Sequence, residues 1–314
     1  MDAAVLRTIG KPPRLEQFPE PIPGEGEVLV HVRAAALKPV EKQLASGTHY
    51  ASPTELPVVC GVDGVGYLDD GTRVFFGGPR FPFGAMAERT VVARSRCFEI
   101  PEALDDATAA ALANPGVSAW LTLTWRAKLA PGETVLVLGA TGVTGKLAVE
   151  IAKLLGAGRV VAAGRNEQVL NTLREHGADA TIRLDIPDLA EAYAREAGFN
   201  VVIDYLWGRP TEALLAAMTS PEFAVAGRET LLVEVGESAG PTISLPAAVL
   251  RSTALTILGT AGLAPGELLV DAFQRVMARA AKGELRIAVE RDPLAKIEDV
   301  WQRDPRGQRI VVIP

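Results

Sequence analysis

The chain has 314 residues, enough for two ordinary domains with a sizeable core. Apolar residues make up 48% and charged residues 22%, a globular balance, and a net charge of -6 without a basic cluster argues against nucleic acid as a main partner. Two cysteines, Cys60 and Cys97, are too few for a disulfide framework and suit a reducing cytoplasm.

The opening MDAAVLRTIGKPP carries an acid at position 2 and no long apolar run, so it does not read as a signal peptide. Turn residues in PEPIPGEGE then lead into an alternating strand at Val28 to Val32. DDGTRVFFG predicts a turn and a short strand, and Ala85 to Val92 and Cys97 to Ile100 predict further strands. No helix longer than three turns is expected before residue 103, so this part reads as a small, mostly β domain. The uncharged stretch Ala107 to Trp125 contains Asn114-Pro115-Gly116 at its centre. It predicts a helix, a break and a second helix, and is a poor membrane span.

Strands and helices alternate after residue 103. Strands are expected at Thr134 to Leu138, Arg159 to Ala163, Ala180 to Arg183, Val201 to Tyr205, Glu229 to Val235 and Ala254 to Gly259. Helices are expected at Val143 to Leu155, at Glu167 to His176, within Pro187 to Ala197 and after Arg209. Six continuously apolar strands with helical crossovers imply an α/β fold, a doubly wound parallel sheet covered on both faces. An amphipathic helix is expected at Gly266 to Ala281, and strands at Leu285 to Val289 and Arg309 to Ile313, returning to the first domain.

The glycine-rich stretch VLVLGATGVTGKLAVEIAK invites two nucleotide readings. A triphosphate loop needs Gly, four residues, then Gly-Lys-Ser/Thr. Here Ala140 replaces the first glycine and Leu147 follows the lysine, so both chemically required positions fail. Ala140-Thr141-Gly142-Val143-Thr144-Gly145, between a strand and a helix, fits a pyrophosphate turn instead. Gly142 lets backbone approach phosphate, Gly145 lets helix and strand pack closely, and the helix start offers free N–H groups. Lys146 is expected to be solvated. A tight turn without a ligand is the structural alternative.

The next strand ends in Gly164-Arg165-Asn166. A site for the non-phosphorylated cofactor commonly places an acid there, about 20 residues after the loop. Arg165 suits a 2′-phosphate, and Gly164 leaves room for it, which predicts NADPH. A solvated arginine is the alternative.

These segments together resemble the medium-chain dehydrogenase/reductase superfamily, specifically its zinc-free quinone oxidoreductase-like branch. The resemblance runs nearly end to end, through PEPIPGEGEVLVHVRAAALKPVEKQLASG, PVVCGVDGVGYL, GAMAERTVV, VLVLGATGVTGKLAVEIAKLLGA, VVIDYLWG and GQRIVVIP. It implies a GroES-like domain from residues 1–113 and 284–314 and a Rossmann domain from 114–283, with the nicotinamide between them. It also implies that zinc-dependent relatives' first ligand position corresponds to Lys38, and that their Gly-His-Glu segment reads Gly61-Val62-Asp63 here. No tetrahedral N/S site assembles from these residues, so no metal is expected.

The resemblance further implies two catalytic candidates. Tyr50 lies where relatives often carry a tyrosine, although a one-residue shift would put His49 there. Lys38 stands where quinone reductases usually have Asn. It would polarise a carbonyl, bind an acidic substrate or simply pair with Glu41. Cofactor contacts are implied at Ser118, Leu206, Trp207, Val235, Gly236 and Glu237. Phe75, Phe76, Phe81 and Phe83 form either an apolar substrate wall or a small loop core. The expected activity is NADPH-dependent hydride transfer to a small-molecule acceptor, a quinone or an enone-type double bond. An enoyl thioester reductase and a non-enzymatic NADPH-binding sensor are the alternatives. A cytoplasmic homodimer paired through Ala254 to Gly259 is expected by analogy.

Overall fold

The computed structural model describes residues 1–221, 223, 229–260, 264–304 and 307–314. Proline- and glycine-rich turns break the first segment into short strands: β1 (Asp2–Leu6), β2 (Arg14–Gln17) and β3 (Glu27–Leu37), then helix α1 (Pro39–Ser46). Strands β4 (Val58–Val59), β5 (Asp63–Leu68), β6 (Arg73–Gly77), β7 (Arg89–Ala93) and β8 (Cys97–Glu99) follow. Helix α2 (Asp106–Leu121) runs into one wider helical turn, Thr122–Arg126.

The chain then alternates through β9 (Thr134–Leu138), α3 (Val143–Leu154), β10 (Arg159–Gly164), α4 (Glu167–Glu175), β11 (Ala180–Arg183), α5 (Leu189–Arg195), β12 (Val201–Asp204) and α6 (Gly208–Ala217). Strand β13 (Thr230–Glu234), α7 (Ala247–Ser252), β14 (Leu255–Gly259) and α8 (Gly266–Ala281) complete the alternation. The tail adds β15 (Val289–Pro293), α9 (Ile297–Gln302) and β16 (Arg309–Ile313).

Two compact units result. Unit 1 comprises Met1–Asn114 and Phe273–Pro314, and unit 2 comprises Pro115–Ala272. In unit 1, β2-β1-β4 form a three-stranded sheet, and β15-β16-β3-β5-β6-β8 form a larger one in which β7 also pairs with β3. Strand β3 pairs with β7 on one edge and β5 on the other, and its register against β5 shifts between Val32 and Ala34. A bulge of this kind bends and twists the strand. The tail does return here: β16 lies antiparallel to β3, with Ile310 opposite Leu37.

Among its described residues, unit 2 forms one six-stranded sheet in the order β11-β10-β9-β12-β13-β14, with its strands paired parallel. Residues Val135 to Leu138 and Val160 to Ala163 are fully buried, as strands covered on both faces must be. The chain runs outward from β9 to β11, then restarts beside β9 with β12. That reversal is a topological switch point, where the loops after neighbouring strands part and leave a crevice at their carboxyl ends.

Three local expectations are corrected. Asn114-Pro115-Gly116 does not break the helix, because α2 continues through Pro115. Proline removes one backbone bond there, at about 3 kcal/mol, but Ala109 to Ala113, Ala119 and Trp120 are all buried, which offsets that cost. The strand expected at Leu285 to Val289 forms at Val289–Pro293 instead. It is an edge strand, where Glu, Arg, Asp and Pro are tolerated and apolar patterning is a weak guide. The four phenylalanines do not form one wall. Phe75 packs against Phe273, Phe76 enters the core, Phe83 meets Phe18 edge-on, and Phe81 is exposed.

Candidate functional site

The glycine turn follows β9. Gly139 leaves the strand with φ 84, a left-handed conformation natural to glycine, and its N–H and that of Ala140 both donate to the carbonyl of Ala163 at 2.9 Å. Gly142 caps α3 without any side-chain acceptor. The first N–H groups of a helix have no intrahelical partner, so this end offers donors and a positive dipole end to an anion. A Cβ on Gly145 would lie 2.2 Å from the Gly139 oxygen and 2.7 Å from the Ala140 Cα, so no side chain fits between helix and turn. At Gly142 the nearest heavy atom, the Gly139 oxygen, would be 3.3 Å away, and Gly142 itself is exposed. Ala140 is buried, and Thr141, Val143 and Thr144 are half-buried around it.

Lys146 departs from expectation. It is half-buried, and burial pulls its ammonium below the ordinary lysine value while Glu150, one turn on, pushes it back up. The lysine therefore belongs to the packing of α3.

The end of β10 meets the turn. A Cβ on Gly164 would collide with the Thr141 side chain at 2.4 Å. Arg165 is exposed. Asn166 caps α4, its Oδ1 accepting from the Val169 N–H at 3.1 Å, a structural duty sufficient to explain that residue. Beside them Arg183, the register partner of Gly164, pairs with Glu167 and Asp185.

Across the switch point stands the end of β12. Asp204 is fully buried. Its Oδ1 accepts from the N–H groups of Leu206 at 2.8 Å and Trp207 at 2.9 Å, and its Oδ2 from the Thr211 hydroxyl at 2.5 Å. Burial raises its carboxyl above the ordinary range, and these three donors oppose the shift. Trp207 has φ 55 and ψ -161, a region that is essentially glycine's. Leu206 faces the glycine turn, since a Cβ on Gly139 would lie 3.1 Å from its Cδ2. The Tyr205 hydroxyl is buried and has no hydrogen-bond partner among the described residues. The N–H groups of Val235 and Gly236, after β13, both donate to the Asp204 carbonyl. Glu237 is exposed, and Glu234 is raised by burial and by Asp204 and Glu237 nearby.

Thus the residues after β9, β10, β12 and β13 gather at the carboxyl ends of one sheet. Ser118 lies elsewhere in sequence terms, half-buried within α2 and not after a turn. Sequence reasoning missed Asp204, Tyr205 and Thr211. The available signal was a charged residue ending an otherwise apolar strand.

The two catalytic candidates lie in unit 1. Lys38 is 2% exposed, and its ammonium sits 2.5 Å from Asp63 Oδ1 and 3.3 Å from Glu41 Oε1. Arg309, from β16, is also buried and donates to the Leu37 carbonyl. Two cations and two carboxylates thereby share one dry site. Burial raises Glu41 against the pull of Lys38, and lowers Arg309 to about 10 against the carboxylates. Of the readings open for Lys38, pairing with carboxylate matches this geometry. Tyr50 is 97% exposed and stacks on His49, with centroids 4.1 Å apart. Among the described residues no group of three or more His, Cys, Asp or Glu is placed to hold a metal. Where zinc relatives would have a ligand, the Lys38 ammonium already neutralises Asp63, so these residues do not fit zinc.

Comparison with known proteins gives a consistent kinship. A family model described as zinc-binding dehydrogenase matches residues 143–280. A probable NADPH-dependent quinone reductase of Emericella nidulans is 26% identical over the whole of both chains. Quinone oxidoreductase-like protein 2 of Bos taurus is 30% identical across 82% of this chain and 74% of its own. The crystal structure of the quinone oxidoreductase of Thermus thermophilus, also determined with NADPH, is 28% identical over all of both chains, with a TM-score of 0.81.

Proposed function

This chain belongs to the medium-chain dehydrogenase/reductase superfamily, in its zinc-free quinone oxidoreductase-like branch, and on that premise we propose that it is an NADPH-dependent oxidoreductase acting on a quinone or an enone-type double bond. The observation that carries the cofactor reading is the glycine cradle at the switch point. Gly145 and Gly164 let α3 and β10 pack against the turn where a Cβ would collide, and the start of α3 has no side-chain cap. Its N–H groups suit a pyrophosphate, and Arg165 suits a 2′-phosphate. Leu206, Trp207, Val235 and Gly236 bound the other side of the crevice and orient the second half of the dinucleotide. When bound, the cofactor supplies the hydride. Relatives named as quinone reductases support the acceptor class.

The proton that completes enone reduction is assigned to solvent or to Tyr50, not to Lys38, whose charge is spent on Asp63 and Glu41. A homodimer joined through β14, one of the two edge strands of the sheet, is the assembly we propose. No helix among the described residues is long and apolar enough to cross a membrane.

The test is oxidation of NADPH and of NADH in the presence of quinones, enones, nitroalkenes and aldehydes. Turnover of quinones or enones with preference for NADPH is the expected result. Binding of NADPH without oxidation by any acceptor would overturn the enzymatic reading.

A further inference from the structure

The loop after β12 is held in a conformation its own residues do not favour. Trp207 occupies a backbone region that glycine alone visits freely, and Gly208, next to it, also has positive φ. Such a conformation persists only where the surroundings over-determine it. Here the surroundings are specific. The Asp204 carboxylate receives the N–H groups of both Leu206 and Trp207. Thr211 fixes the second carboxylate oxygen from α6. The Tyr205 carbonyl accepts from the Ser238 hydroxyl, and the Leu206 carbonyl from the Ala239 N–H at 2.7 Å. The indole is half-buried against the apolar core of unit 2, which anchors the far side of the turn. The outcome is that Leu206 is set against Gly139, at the mouth of the glycine turn. A buried Tyr205 hydroxyl without a partner among the described residues lies in the same loop, and such a group calls for an explanation.

We propose that Asp204 is a positioning residue of the dinucleotide crevice, which clamps the Tyr205–Trp207 loop into its strained form and so fixes the wall that receives the nicotinamide half. This rests on the NADPH reading above. The two halves of the cofactor fall on opposite sides of the switch point. Arg165 and Gly164 belong to the β10 side, and the clamp belongs to the β12 side. Loss of the clamp therefore disturbs one half of the ligand and spares the other. A purely structural carboxylate would disturb both or neither.

The experiment measures binding of two probes, NADPH and 2′,5′-ADP, to wild type, Asp204→Ala, Asp204→Asn and Thr211→Val. Asp204→Ala is expected to weaken NADPH by about tenfold or more, since small misplacements of a binding wall have large effects, while leaving 2′,5′-ADP within about twofold. Asp204→Asn keeps an acceptor for both N–H groups and is expected to restore most NADPH affinity. Thr211→Val perturbs only one carboxylate oxygen and carries the same test in a smaller step if Asp204→Ala does not fold. Equal weakening of both probes, or no weakening of either, would overturn the inference. Failure of wild type to bind either probe would instead overturn the NADPH reading itself.

Discussion

Lys38→Met isolates the energetics of the buried ion cluster in unit 1. The substitution keeps the length and apolar stem of the side chain and removes only the ammonium. Asp63 loses its 2.5 Å partner and Glu41 its 3.3 Å partner, leaving two buried carboxylates with Arg309 as the remaining cation of the cluster. Breaking a buried pair by removing one member costs about 3–5 kcal/mol, because the other charge stays dry and uncompensated. At about 2–4 °C per kcal/mol for a domain of this size, the loss corresponds to a Tm lower by roughly 6–20 °C. Calorimetry at neutral pH measures it, and the transition of unit 1 should move while that of unit 2 stays.

The pH dependence carries a definite sign. Glu41 already titrates above the ordinary carboxylate range, because burial outweighs Lys38. Without Lys38 its pKa rises further. A raised carboxyl pKa destabilises fully at pH values above it, and the penalty shrinks as pH falls below the folded value and is gone below the unfolded one. The deficit of Lys38→Met is therefore widest at neutral pH and narrows in acid. Neutralising the orphaned partner as well, in Lys38→Met/Asp63→Asn, leaves one carboxylate opposite Arg309 and should recover much of the lost Tm. An unchanged Tm in the single variant, or a deficit that does not narrow in acid, would refute the ion-cluster account and return Lys38 to the catalytic candidates.

Other substitutions probe the second unit. Arg165→Ala should weaken NADPH by about tenfold, the scale of one lost charge-assisted contact, and leave NADH unchanged in the same titration; equal loss of both would remove the 2′-phosphate role. Gly145→Ala places a Cβ 2.2 Å from a backbone oxygen, so it should abolish nucleotide binding and lower Tm, and retention of both would mean that the helix moves aside readily. Gly164→Ala should weaken binding because its Cβ meets Thr141 at 2.4 Å, and adding Thr141→Ala should recover part of the loss by deleting the colliding methyl and hydroxyl. Light scattering of the wild type checks the homodimer, for which a monomeric mass at working concentration would be a refutation.

Much of unit 2 was legible from sequence because its signals are local. Most of its six strands are short apolar runs between turn residues, and the crossover pattern specifies a parallel sheet. The turn at Gly139 to Gly145 announces itself through glycine spacing. Unit 1 was less legible because its contacts are distant. Nothing near Lys38 points to Asp63 or to Arg309 at the far end of the chain. The continuity of α2 through Pro115 depended on surrounding burial, which outweighs a local breaker signal. Asp204 escaped notice because a capping carboxylate looks, in sequence, like the polar end of any strand. Trp207 was visible as an implied cofactor contact, yet its backbone strain was not, since nothing in the residue itself asks for positive φ.

The placement of β16 bears on how the protein is made. This strand, Arg309–Ile313, lies between β15 and β3 inside the larger sheet of unit 1, and it delivers the second buried cation to Glu41 and Asp63. The residues of unit 2 are all synthesised before it. On the ribosome, unit 2 therefore has its complete sequence first, while Met1–Asn114 waits with the Ala35–Leu37 end of one flank of β3 open and its carboxylates short of a partner. At roughly 5–20 residues per second the wait is on the order of ten to forty seconds. During that interval the open end of β3 at Ala35–Leu37 is a hazard for pairing between nascent chains, and a late truncation would leave unit 1 in that incomplete state permanently.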